Sequence, residues 1–242
     1  MVTSKTPDIK SQQQVWNLIA PEWYEYKNNS DPKVIEFVEK AKGKLLDLGS
    51  GAGRNFAKSD AEIYALDFSE EMLKFAEIKA EKMLGKKIAN NIIKTDNKKS
   101  SIIDNLLNNH KDNKGNFIFI QHDLTKKLPF EDKTFDNVIC IATLHCIKGK
   151  ANRTKILKEI YRVLAPKGKL LIKVWNRKSK RFGGKKERLI KWTDKGERYY
   201  YFYTTDELEK EIKSSKFKIK KLEHKNKKTG FESQEITILA EK

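Results

Sequence analysis

Apolar residues along this chain follow two alternating periods. The run Lys44 to Leu48, KLLDL, is short and continuous and stops at the glycine-rich GSGAG, the pattern of a buried strand entering a tight turn. A second such run, EIYAL, ends at Asp67. Ser69 then precedes Glu70 and Glu71, and Met72, Phe75, Ala76, Ala80 and Met83 recur at helical spacing. This predicts a helix capped by Ser69, with acidic residues complementing the positive end of its dipole. NFIFIQHDL and FDNVICIA read as strands, and a helix using Ile156, Leu157, Ile160, Val163 and Leu164 follows. KLLIKVW is a strand after a turn at Pro166 to Gly168. RYYYFY, Arg198 to Tyr203, is extended, Thr204 and Glu207 form a capping box, and FKIKKLEH and QEITILAE close the chain as strands. Strands alternating with helices predict an α/β fold around a mostly parallel sheet.

Residues 86–116 break the pattern. They are Asn/Lys-rich with one apolar patch at Ile102, Ile103, Leu106 and Leu107, and read as an insertion holding at most one small helix. No repeat or linker divides the chain, so residues 1–242 form one domain with an N-terminal lid segment (1–40), the insertion (86–116) and a basic arm with substrate rim (176–203). Trp16, Trp23, Tyr24 and Tyr26 suit either a lid or a packed N-terminal helix. Alternation along RYYYFY sets Tyr199, Tyr201 and Tyr203 on one face and Arg198, Tyr200 and Phe202 on the other.

Composition narrows the class. In 242 residues, 38% are hydrophobic, enough for a packed core and too many for a disordered chain. No run approaches the roughly 18 apolar residues of a membrane span, and MVTSKTPDIKSQQQ lacks an apolar signal core, so a cytoplasmic protein with no membrane contact is expected. Cys140 and Cys146 have neither zinc-finger spacing nor disulfide density, and no metal site is expected. The net charge of +18 is uneven: Lys148 to Lys195 holds 18 Lys and Arg against Glu159, Glu187 and Asp194. Its densest part, NRKSKRFGGKKER, places Gly183 and Gly184 between two basic arms. This is either a solvated face of a lysine-rich chain or a phosphate-binding surface.

Gly49, Gly51 and Gly53 let backbone N–H groups approach a ligand closely, but Arg54 follows and the third glycine of G-x-G-x-x-G is missing, which disfavours a dinucleotide. An ionised Asp67 accepts two hydrogen bonds and suits a ribose diol; Asp123, after the third strand, suits an exocyclic amine.

LLDLGSGAGRN, YALDFS, QHDLTKKLPFEDKTFDNVICIATLHCI and EIYRVLAPKGKLLIKVW, in that order, resemble the class I S-adenosylmethionine-dependent methyltransferases. The resemblance implies a Rossmann-like, seven-stranded, mostly parallel sheet of order 3-2-1-4-5-7-6, its last strand antiparallel, with helices on both faces. It implies S-adenosyl-L-methionine as cofactor, with Asp47, Gly49, Gly51 and Gly53 along its methionine portion and Asp67 on the ribose. Phe68 would flank the adenine, Asp123 and Leu124 fix its amine edge, and Ile141 pack beside the methyl donor. IATLHC stands where methylases of base amines carry N/D-P-P-Y/F.

A closer resemblance lies in QVWNLIAPEWYEYKNN, ICIATLHCI, ERYYYFYTTDELEKEI and FESQEITILAEK, which look like the tRNA wobble-uridine carboxymethyl methyltransferases. That family forms the methyl ester of 5-carboxymethyluridine. The resemblance implies a tRNA anticodon stem-loop on the basic arm Arg177 to Lys191 and substrate positioning by His145, Arg198 and Tyr199. It also implies a small zinc-binding activator subunit at the edge strand Phe117 to Ile120. The chain departs from the family at Cys146, where a second histidine is usual, and at Lys27 and Asp31, where an arginine and a tryptophan are usual. Two rival readings share the cofactor motifs: a small-molecule methyltransferase, and a non-catalytic RNA-binding module on the same scaffold.

Overall fold

A computed structural model describes residues 9–27, 29–88, 92–95, 117–226 and 232–242. Its centre is an eight-stranded sheet. The strands, in chain order, are β1 (Lys44–Leu48), β2 (Glu62–Asp67), β3 (Ile93–Lys94), β4 (Phe117–Gln121), β5 (Phe135–Ile141), β6 (Leu164–Trp175), β9 (Lys218–Asn226) and β10 (Glu232–Glu241). Between them, β7 (Glu187–Lys191) and β8 (Glu197–Tyr201) form a separate two-stranded antiparallel ribbon. The sheet order is β3-β4-β2-β1-β5-β6-β10-β9, parallel from β3 to β6, with β10 antiparallel to both neighbours. Leaving out the two-residue β3, this is the expected order 3-2-1-4-5-7-6.

Both faces of the sheet are covered, which is why its strands read as continuous apolar runs rather than as alternation. Leu46, Tyr64, Val138, Leu170 and Ile172 point into one core with Ile156 and Ile160 of α4 (Lys150–Val163) and Leu208 and Ile212 of α5 (Thr205–Ser214). Leu45, Ile63, Ala65, Ile139 and Leu171 point into the other. There they meet Val34 and Val38 of α2 (Pro32–Glu39) and Leu73, Ala76 and Ala80 of α3 (Glu70–Leu84). Ser69 caps α3 by accepting from the Met72 N–H at 3.1 Å, and the Thr204–Glu207 capping box closes as expected. The turn at Pro166 to Gly168 is a bulge within β6, where Lys167 takes a φ of 65°.

Two elements differ from the sequence reading. The sheet gains β3, whose Ile93 and Lys94 pair with Ile120 and Gln121, so the C-terminal end of β4 is not an edge. Ile93 is buried against the β2–β4 layer, which is reason enough for an apolar pair to pull out of a polar insertion. The apolar patch Ile102 to Leu107 lies outside the described residues. The second difference is β7, a strand the charge density of the basic arm conceals; it pairs Leu189 with Tyr199 and Ile190 with Arg198.

Candidate active site

The C-terminal ends of β1, β2 and β5, with the turn after β4, open on a cavity of about 460 Å³, within the roughly 300–1,000 Å³ of small-molecule sites. Open α/β sheets bind ligands at this end. Gly49 has a φ of 76°, and a Cβ there would stand 2.3 Å from the Thr143 side chain, so the two strand-end loops approach only because the position is glycine. The Gly51 N–H donates to Oδ2 of Asp67 at 2.9 Å. Gly53 does not line the cavity: a Cβ there would meet Phe56 at 2.6 Å and Ala76 Cα at 3.2 Å, so its task is seating the loop on α3.

Asp67, Phe68, Asp123, Leu124 and Ile141 line the cavity with Gly49 and Gly51. Oδ1 of Asp67 accepts from the Ser69 N–H at 2.9 Å. Burial pushes its pKa up to about 6, against the pull of the Ser69, Gly51 and Phe68 N–H groups. Asp123 uses one oxygen on Thr125, from both N–H and hydroxyl, and keeps the other for a ligand. Asp47 is fully buried behind the loop, and neither of its carboxylate oxygens has a hydrogen-bond partner. Burial first and the Asp67 charge second push its pKa up to about 7, with Arg54 and Asn55 pulling it back.

The roof is α1 (Ile9–Tyr26), which supplies Gln12, Trp16, Trp23 and Tyr24, with Lys27 just beyond it. It is pinned to the β2–α3 turn: Gln13 donates to the Phe68 carbonyl at 2.6 Å, and Oδ1 of Asn17 accepts from the Ser69 hydroxyl at 2.6 Å. Its aromatics divide between helix packing and the cavity wall. Trp16 and Trp23 meet edge to face at 5.1 Å while facing the cavity, Tyr24 stacks on Phe75, and Tyr26 is 77% exposed.

The three residues expected to position substrate are separated by the fold. Tyr199 lines the cavity, its N–H bound to Gln12 and its hydroxyl donating to Glu187 at 2.9 Å. Arg198 stands one layer back, 4% exposed, donating to the Tyr200 hydroxyl at 2.8 Å. Its guanidinium lies 4.8 Å from the Trp192 ring centroid and 5.5 Å from those of Trp16 and Trp23. His145 is fully buried, packed against Trp175 and Tyr200, which stack on each other, and does not reach the cavity. Burial and the Arg54 charge lower its pKa to about 3. Cys146 does line the cavity, but burial raises its thiol pKa far above the usual range and it donates to the Ala142 carbonyl.

Sequence reasoning gave no site role to Gln12, Arg54, Thr143, Lys148 or Asn152, all of which line the cavity. A cation directly after the glycine turn was the available signal for Arg54; Gln12 carries none. Among the described residues, Arg54, Lys27 and Lys148 form no ion pair with a carboxylate. Lys27 is crowded by cations: burial lowers its pKa first, followed by the charges of Arg54, Arg181 and Arg198.

The donor set suits S-adenosylmethionine. Asp67 complements a ribose diol and Phe68 with Leu124 a flat base, while the buried Asp47 carboxylate, without a hydrogen-bond partner among the described residues, does not line the cavity and places its charge behind the glycine loop. A methyltransferase-domain family model matches residues 80–172. The mouse protein named "Probable tRNA methyltransferase 9B" is 27% identical over 184 residues, 74% of this chain and 32% of its own length. The chain thus spans about a third of that relative. Among solved structures, the 1,6-didemethyltoxoflavin-N1-methyltransferase of Burkholderia thailandensis, with substrate and S-adenosylhomocysteine bound, superposes at a TM-score of 0.63 with 15% identity, covering 100% of this chain and 93% of that one. A methyltransferase from Haloferax volcanii, in complex with the Trm112 activator, superposes at 0.61 with 14% identity, covering 97% and 96%. The fold is the Rossmann-like fold of these methyltransferases, and the cavity lies where that fold holds its cofactor.

Proposed function

We propose that this chain is a tRNA methyltransferase that forms the methyl ester of 5-carboxymethyluridine at the wobble position. One observation carries the reading: past the cofactor end, the cavity offers cations without carboxylate partners and no carboxylate or imidazole to take a proton. Among the described residues its only lining acids are Asp67 and Asp123, both at the cofactor end, and no histidine lines it. A nucleophile that must lose a proton is poorly served there. A carboxymethyl group has a reference pKa near 4, so about 99.9% of it is already anionic at pH 7.

When bound, S-adenosylmethionine supplies an electrophilic methyl group on a sulfonium. The chain's own residues align the acceptor and exclude water. Lys27, Arg54 and Lys148 hold the carboxylate, each charge-assisted hydrogen bond contributing roughly 1.5–3 kcal/mol once water is gone. Tyr199 and the Trp16–Trp23 roof fix the uracil plane, and Arg198 adds its field from behind those rings. The basic arm from Arg177 to Lys191 supports an anticodon stem-loop as the partner.

The reading extends to an activator subunit at the β3–β4 edge. Among the described residues no strand pairs with Phe117 to Phe119 on the side away from β2, and such an edge favours a covering partner. The Haloferax volcanii complex supports this. The test incubates the chain, alone and co-expressed with a candidate activator, with labelled S-adenosylmethionine and tRNA bearing 5-carboxymethyluridine. Label released as methanol by mild alkali is the expected result; alkali-stable label would overturn the chemistry and leave the fold intact.

A further inference from the structure

A second basic surface lies on the N-terminal half of α4. From Leu144 to Lys158 the chain contains no Asp or Glu. Lys150, Thr154 and Lys158 share one helical stripe, with Ala151 and Lys155 beside them, and these five residues line an open groove of about 500 Å³. Lys155 reaches over to the Thr125 carbonyl at 2.8 Å, which brings the exposed Lys127 of that loop to the same surface. Glu159, the next acid along α4, is committed to Arg162 at 2.7 Å and to the Leu128 N–H at 2.9 Å. Nothing on α4 therefore neutralises the stripe.

The groove begins next to the residues of α4 that line the cavity. Lys148, Gly149 and Asn152, at the start of α4, line the cavity itself. Gly149 takes a φ of 84° and offers no side-chain cap, and the first turn holds no acid, so neither the cap residue nor a first-turn carboxylate occupies the amide donors there. Arg153 of α4 lies 3.7 Å from the Tyr201 ring centroid, and the same ring meets Lys186 at 5.7 Å and Arg177 at 5.8 Å. One aromatic side chain thus joins α4 to the arm.

We infer that the α4 stripe of Lys150, Lys155 and Lys158, with Lys127, is a second track for RNA phosphates, so that a strand entering the cavity is also held beside its mouth. This rests on the RNA-acceptor reading above. Phosphates match the groove because Lys150 and Lys158, about two helical turns apart on one stripe with Lys155 beside them, suit a repeating anion better than one small ligand. An anionic membrane or an acidic protein would be drawn to the same charge, but neither requires the stripe to begin next to the cavity.

The experiment measures binding of an unmodified anticodon stem-loop RNA to the full chain across a salt series. It compares the wild type with K150E/K155E/K158E and with the milder K150Q/K155Q/K158Q, and S-adenosylhomocysteine binding reports on the fold. The expected result is at least about a tenfold weaker RNA affinity for the Glu variant, an intermediate loss for the Gln variant, and a log–log salt slope flatter by about 2, since each single-strand phosphate contributes about 0.7. Wild-type affinity and slope in both variants would overturn the inference. So would tighter, stripe-dependent binding to phosphatidylserine vesicles or polyglutamate than to RNA. Stripe-dependent RNA binding without alkali-labile product would sink the carboxymethyluridine reading and keep this surface; ester formation with stripe-independent binding would do the reverse.

Discussion

The backbone N–H of Trp175 donates to Nδ1 of His145 at 3.1 Å, and the two rings stack with centroids 4.9 Å apart. That bond puts the imidazole proton on Nε2, a buried atom without a partner. The histidine is held neutral as part of the wall beside β6 and does not line the cavity.

His145→Phe keeps the stack and removes the acceptor, leaving the Trp175 N–H unpaired at a cost of about 1–3 kcal/mol. Methyl transfer should survive with an unchanged pH profile, whereas losing a general base costs roughly 10²–10⁴-fold. The stability difference should itself depend on pH. The folded pKa of about 3 lies below the ordinary 6.5, so the unfolded chain binds a proton first and wild-type stability from this group is lost as pH falls through that window. Denaturant melts of both proteins at pH 7 and pH 5 should show their gap narrowing at the lower pH.

The Asp47 and Asp67 pair has the opposite sign. Their folded pKa values, about 7 and about 6, lie above the ordinary 3.8, so the ligand-free chain is stabilised at low pH and loses that contribution as pH rises through 6–7. A ligand presenting an ammonium and a ribose diol needs the ionised forms. S-adenosylhomocysteine affinity should therefore rise with pH between 5.5 and 8, by up to about tenfold per unit for each coupled proton. Asp47→Asn should flatten that dependence and weaken binding at pH 8 while raising the ligand-free melting temperature there. Calorimetry at three pH values decides it, and a pH-independent affinity in the wild type would remove Asp47 and Asp67 from the cofactor cradle.

How much of this was legible follows from what local sequence encodes. The strands, the Ser69 cap and the Thr204–Glu207 box are written in neighbouring residues, and all appear. So does the alternation of RYYYFY: Tyr199, Tyr201 and Tyr203 enter one core cluster, and Tyr200 and Phe202 join another with Phe182, packed against Trp175. The glycines were legible as a group but not individually, because what separates Gly49 from Gly53 is the side chain opposite, Thr143 or Phe56, which comes from elsewhere in the chain or from the next turn. β7 was hidden because its strand partner, not its own glutamate, arginine and lysine, makes it a strand. Gln12 and the depth of Arg198 depend on where α1 docks, and no short-range pattern specifies that.

Gln12 is the residue that couples the roof to the substrate rim. Its Nε2 donates to the Glu197 carbonyl at 2.9 Å and its Oε1 accepts from the Tyr199 N–H at 2.8 Å, so one side chain fills the hydrogen-bonding edge of β8. Gln12→Ala leaves a buried donor unpaired, and Tyr199 should lose hydrogen-exchange protection. The Michaelis constant for the RNA acceptor should rise several-fold, with a smaller change in S-adenosylhomocysteine affinity because Gln13 and Asn17 still seat α1 on the β2–α3 turn. Equal losses in both would show that α1 moves as one body and that Gln12 has no separate part.

Arg198 supplies the sharpest test of the anionic acceptor. Its guanidinium is buried among Trp16, Trp23 and Trp192 and bonded to the Tyr200 hydroxyl, and its charge already lowers the pKa of Lys27 at the mouth. With its Nε unpartnered and no carboxylate bridged to it among the described residues, that charge is not cancelled within the protein. A buried cation that meets the acceptor only through intervening rings acts by its field, so charge should matter more than shape. Arg198→Met should raise the Michaelis constant for the carboxymethyl acceptor by about tenfold, one unit of log K per about 1.4 kcal/mol, while leaving S-adenosylhomocysteine affinity within about threefold. Arg198→Lys, which keeps the charge but not the planar stack, should recover most of that loss. If the lysine variant proves as poor as the methionine one, Arg198 serves the aromatic packing, and recognition of the carboxylate falls to Lys27, Arg54 and Lys148 alone.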